Sequence, residues 1–136
     1  MYIRLLDLIL IGEMKNGYHT QRCYGRYRSA DSTKMMATVD EKGFPNVAPV
    51  GSITAVDSET IAFAELFIKK TKANLENTKK VAIVIFKGPM VGYQLKGTFA
   101  GFQTSGPIFD SFSEKVMSAM KLQIKSVGII KVDNVF

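Results

Sequence analysis

Through most of the chain, short apolar stretches are cut by Gly, Pro, Asp and Ser at the spacing expected of strands. Ala37-Thr38-Val39 is an apolar strand running into Asp40-Glu41-Lys42-Gly43, whose glycine supplies the positive φ of a tight hairpin turn. Asn46 to Val56, rich in Val, Ile and Thr, predicts a second strand, Asp57-Ser58-Glu59 a turn, and Thr60 to Ala64 a third strand. Val81 to Phe86 is a continuous apolar run, the pattern of a strand buried on both faces, and Gly88-Pro89 breaks it. Val91 to Phe102 alternates in parts, with glycines at 92, 97 and 101 that allow sharp barrel curvature or a bulge. Ser105-Gly106-Pro107 makes a turn and opens a helix. Ile108, Phe109, Phe112, Val116, Met117 and Met120 recur mostly at three- and four-residue intervals and give that helix one apolar face. Gln123 to Val132 contains a final strand. Many antiparallel strands with few helices predict a mainly β protein, a small barrel whose curvature closes its edges.

The N-terminal part reads differently. Met1 to Glu13 fits one amphipathic or buried helical segment ended by Gly12 or Gly17, whereas Asn16 to Ser32 is polar, basic and tyrosine-rich without a clean period. Residues 1–34 are therefore expected to be an extension, helical or partly disordered, ahead of one domain at 35–136. A wrongly assigned start near Met35 and Met36 is a further option. Leu5 to Ile11 is apolar but short, carries Asp7, and lacks a small-residue cleavage site behind it. Nothing approaches the roughly 20 apolar residues of a membrane span. A cytoplasmic protein without a membrane partner is the expectation.

The 136 residues, 46% of them hydrophobic, suit one domain. The net charge of +6 favours an anionic ligand or partner. The basic residues are spread along the chain, apart from a cluster at Lys69, Lys70, Lys72, Lys79 and Lys80, and no nucleic-acid motif accompanies them. A phosphate-bearing small ligand fits better than nucleic acid. Cys23 is the only cysteine and His19 the only histidine, so neither a disulfide nor a typical metal site is expected. Four positions separate the two, but the segment has no helical period and no third group to orient them, which speaks against a nucleophilic site.

Lys69-Lys70-Thr71 ahead of Lys72-Ala73-Asn74-Leu75 is the strongest candidate for chemistry. At a helix start, free backbone N–H groups, a hydroxyl and ammonium groups converge, which suits a phosphate. The alternative is a solvated helix face with Thr71 as its N-cap.

Ala37-Thr38-Val39-Asp40 with Gly43-x-Pro45, then Lys69 to Leu75, Val81 to Phe86 and Gly92-Tyr93-Gln94-Leu95-Lys96-Gly97 together resemble the pyridoxamine 5'-phosphate oxidase-like, FMN-binding split barrels. The small single-domain members are most similar, through Gly97-Thr98-Phe99, Thr104-Ser105-Gly106-Pro107 and Phe109. The resemblance spans about Lys34 to Val135. It implies a six-stranded antiparallel split β-barrel with flanking helices, a homodimer with the flavin at its interface, and FMN as cofactor. It also implies that Lys69, Lys70 and Thr71 hold the phosphate with Asn74 fixing the turn. Val50, Gly51, Ser52 and Ile53 would run along the flavin, their backbone groups meeting its pyrimidine edge. Phe63 and Ala64 would contact the cofactor, although Phe63 fits a core position equally well. Gln94 would place an amide beside the ring, or else be an exposed strand residue.

Pyridoxamine oxidases carry an Arg and a Lys flanking the flavin strand, where this chain has Pro49 and Thr54. Their C-terminal Arg and aromatic residues have no counterpart before Phe136, so vitamin B6 oxidation is not expected. The resemblance implies electron transfer or a small flavin-dependent oxidoreductase with an unidentified acceptor. The alternatives are a non-catalytic flavin store or sensor, and a binder of a deazaflavin or haem in the same cleft.

Overall fold

In the computed structural model, residues 33–87 and 91–135 are described. The expectations for Met1 to Glu13, His19 and Cys23 lie outside those residues. Among the described residues, seven strands and two helices follow in the order β1 (Thr33–Val39), β2 (Pro45–Pro49), β3 (Thr54–Ala55), β4 (Thr60–Ala64), α1 (Lys69–Thr78), β5 (Lys80–Lys87), β6 (Val91–Gln103), α2 (Pro107–Met120) and β7 (Val127–Val135). All pair antiparallel in one sheet of order β2-β1-β5-β6-β7-β4-β3. The edge strands β2 and β3 are consecutive in the chain. The short turn between them brings the two ends of the sheet together, and the sheet curls into a split barrel with flanking helices.

The strand expected over Asn46 to Val56 is two strands. Val50-Gly51-Ser52 turns the chain away from β1, which ends the first pairing and makes seven strands rather than six. The hairpin before it is as the sequence predicts: Gly43 has φ +87°, and Asp40 Oδ1 accepts from the N–H groups of Lys42 and Phe44, both at 2.9 Å. On β6 the register against β7 shifts at Lys96/Gly97 and at Phe99/Gly101. The glycines there are bulge positions, with Gly101 at φ +122°.

Two apolar clusters hold the fold. Met36, Ile61, Phe63, Leu75, Val81, Ile83, Leu95, Phe99 and Ile130 fill the barrel, with α1 across its open side. Ala62, Ala64 and Val127 face the other way and pack on Phe112 and Val116 of α2. The strand buried on both faces is thus β4. On β5, Val81 and Ile83 are buried, but Val84 and Phe86 are 37% and 39% exposed, contrary to the expectation for Val81 to Phe86. Among the described residues, no helix covers their side of the sheet. Their neighbours there by register are Met35, Ala37, Val47 and Pro49, and Val47 is 60% exposed.

Candidate functional site

A groove of about 780 Å³ runs between the 50–54 segment and α2. Val50, Gly51, Ser52 and Ala64, all expected at the cofactor, line it. Leu66, Phe112, Val116 and Met120 extend its apolar wall, and Lys34, Glu114 and Lys115 bring charge. Sequence reasoning missed this second set because α2 reads as a helix packing on a core. Lys34 did leave a signal: on β1 it shares the inward face with the buried Met36 and Thr38, an unusual place for an ammonium group.

The 50–54 turn is braced from several sides. Val50 N donates to Lys34 O at 3.0 Å, and Ala64 N to Ser52 Oγ at 2.9 Å. Thr54 Oγ1 donates to Ser52 O at 3.0 Å, and Lys34 Nζ to Ile53 O at 3.1 Å. Among the described residues, the N–H groups of Gly51 and Ser52 find no acceptor. The groove therefore has an apolar wall and, on the turn, unspent amide donors, the combination that a flat heteroaromatic ring with a carbonyl-bearing edge requires.

The other expected residues fall elsewhere. Ile53 and Phe63 are buried in the barrel, Phe63 with no exposed surface. Lys69 and Lys70 are exposed on the first turn of α1, which no side chain caps. The N-cap is Ile68 rather than Thr71, and the first helical bond runs from Lys72 N to Ile68 O at 2.7 Å. Thr71 is only 2% exposed, and its hydroxyl accepts from Asn46 Nδ2 at 3.3 Å. Asn74 Nδ2 donates to Thr38 Oγ1 at 3.1 Å. Both side chains fasten α1 to the β1–β2 hairpin. Gln94 is exposed beside Val84 on the outer face of the sheet, away from the groove.

Between groove and helix start lies a polar lock. Glu65 pairs with Lys72 Nζ at 2.8 Å and accepts from the buried Ser126 hydroxyl, while Glu65 N donates to Ser126 O at 2.9 Å. Burial disfavours the Glu65 carboxylate, but the hydrogen bonds from Lys72 and Ser126 outweigh it and hold the pKa below the ordinary 4.5. Chiefly through its bond to Glu65, Lys72 is raised above 10.5. The Lys72 ammonium also lies 5.0 Å from the centre of the Phe102 ring. Lys72 is thereby drawn to the lock, and Lys69 and Lys70 remain as the exposed cations of the first turn.

Among the described residues no cluster of His, Cys, Asp or Glu could hold a metal ion, and no helix is long and apolar enough to cross a membrane. Curled sheet, split edge and groove define a split-barrel protein. The family model described as pyridoxamine 5'-phosphate oxidase matches residues 27–133, reaching upstream of the resemblance visible from Lys34. The chain belongs to this family. It is 31% identical over 105 residues to the uncharacterized protein MJ0282 of Methanocaldococcus jannaschii, covering 74% of this chain and 69% of that protein. Among solved structures, HupZ of Group A Streptococcus is 31% identical with a TM-score of 0.71, over 80% of this chain and 86% of HupZ. An FMN-binding protein from Syntrophomonas wolfei shares the fold at 19% identity and a TM-score of 0.68, over 76% of this chain and 74% of the other.

Proposed function

We propose that this protein binds FMN non-covalently in the groove and serves as an electron carrier or a small flavin-dependent oxidoreductase. The observation that carries the reading is the groove itself. It joins an apolar wall, unspent Gly51 and Ser52 amides, and a chain path through Ala64 and Leu66 to the exposed Lys69 and Lys70. The family, and the FMN named for one structural relative, support it. Val50 and Phe112 would flank the ring, the Gly51–Ser52 amides would meet its carbonyl edge, and Lys69 and Lys70 would hold the phosphate. The bound flavin would supply the redox chemistry, and the protein its binding, orientation and electrostatics.

A homodimer is part of the proposal. The face of β2, β1 and β5 that no described helix covers carries Val47, Met35, Val84 and Phe86, and apolar sheet faces of this kind mark interfaces. Gln94 stands on that face, so any contact of its amide with a flavin would be with the one bound by the partner protomer.

Absorbance spectra of protein purified without added cofactor, followed by FMN and riboflavin titrations, test the reading. The expected result is released FMN at about one per chain and tighter binding of FMN than of riboflavin, which lacks the phosphate. In Lys69→Ala/Lys70→Ala the FMN affinity should fall about tenfold and approach that of riboflavin. Lysine variants are the sharper probe, because Thr71 substitutions would also disturb packing. A wild-type protein that takes up no FMN sinks the assignment. Stopped-flow reduction by NADH or a ferredoxin then separates electron transfer from storage.

A further inference from the structure

β2 and β3 stand at opposite ends of the strand order and share no ladder. The turn joining them therefore lies outside any ladder between the two, and Lys34 of β1 takes up several of its peptide groups. Its carbonyl accepts from Val50 N, while its ammonium donates to Ile53 O at 3.1 Å and lies 3.5 Å from Gly51 O. One residue of β1 thus grips both ends of the turn across the split, and the same side chain lines the groove.

We propose that Lys34 is the positioning residue of the ligand groove: by gathering the Gly51 and Ile53 carbonyls it fixes the peptide planes of the turn, keeps the Ser52 N–H available to the ligand, and adds positive charge at the groove. The inference rests on the cofactor reading above for the identity of the ligand. Its physics is local. In a trans peptide the C=O and the following N–H point in opposite directions. Holding the Gly51 carbonyl at Lys34 therefore turns the Ser52 N–H away from Lys34, and among the described residues that N–H has no acceptor. Ser52 is held as well, its hydroxyl accepting from Ala64 N and its carbonyl from Thr54 Oγ1. Without the ammonium, the Gly51–Ser52 peptide could rotate and present a carbonyl where the ligand needs a donor. Charge-assisted bonds to carbonyls make that rotation costly. Arginine keeps both charge and donors, whereas methionine keeps only the length of the stem.

The test compares wild type, Lys34→Met and Lys34→Arg by FMN titration and by amide exchange of the ligand-free proteins. In Lys34→Met, FMN affinity should fall about tenfold, and the Val50, Ile53 and Ala64 amides should exchange about tenfold faster while β6 and β7 keep their protection. Lys34→Arg should stay within about threefold of wild type on both readouts. Unchanged affinity in Lys34→Met overturns the positioning role, whether or not the turn loosens. Should wild type itself take no FMN, the cofactor reading fails, and the exchange data alone decide the clamp: unaltered protection at Val50, Ile53 and Ala64 in Lys34→Met refutes it.

Discussion

At the scale of single residues, two glycines are fixed by space. A Cβ at Gly128 would sit 2.2 Å from Phe63 Cζ, and Phe63 is fully buried in the barrel. At Gly97 it would meet the Lys131 carbonyl at 2.5 Å and Ile130 Cγ2 at 2.8 Å, where β6 shifts register against β7. Gly128→Ala is expected to destabilise by about 2–3 kcal/mol, because the ring cannot move without opening the core. Urea unfolding measures this, and a variant within about 0.5 kcal/mol of wild type would mean that Phe63 repacks freely. Phe67 poses the opposite case. It is exposed and has φ +57°, and unlike Lys79 and Lys121 it is not a helix C-cap. A bulky side chain in this conformation carries strain.

At the scale of elements, the joint between β4, α1 and the start of β7 is electrostatic. Glu65 has a lowered pKa, so its contribution is present above the ordinary glutamate value and fades as pH falls through the folded value. Lys72 has a raised pKa, so its contribution is present below 10.5 and is lost as pH rises through the folded value. The lock is therefore complete across neutral pH and opens first on the acid side below 4.5. Glu65→Gln should lower stability at pH 7 by about 1–2 kcal/mol, a range reduced for the partly exposed lysine, and should flatten the acid limb of a Tm–pH curve. An acid limb unchanged from wild type would remove Glu65 from the account. Because the lock lies next to the first turn of α1, its opening should also loosen the phosphate site proposed there.

At the scale of the whole molecule, β5 carries the main implication. Its apolar run fits a strand covered on both sides, yet the described residues cover only the Val81 and Ile83 side. A second copy on the outer face would complete the burial. Val84→Glu changes a position that is already partly exposed in the single chain, so the fold should persist. Sedimentation should show a shift from dimer to monomer, with FMN affinity falling at the same time. A dimer unaffected by the charge would move the interface elsewhere.

Local patterns in the sequence determined the β-rich order of elements, the hairpin glycine, the bulge glycines of β6 and the apolar face of α2 from Ile108 to Val116, whereas Met117 and Met120, expected on that face, are exposed. Each depends on neighbours within a few residues, where periodicity and backbone preference act. The cluster Lys69-Lys70-Thr71 was legible as a helix start for the same reason. Tertiary structure alone decided that Asn46 to Val56 breaks at Gly51, that β4 rather than β5 is doubly covered, and that Thr71 faces Asn46 instead of capping its helix. It also decided the groove and its two fasteners. Lys34 meets Ile53 across 19 positions and Glu65 meets Ser126 across 61, pairings that curling the sheet creates and no local pattern encodes.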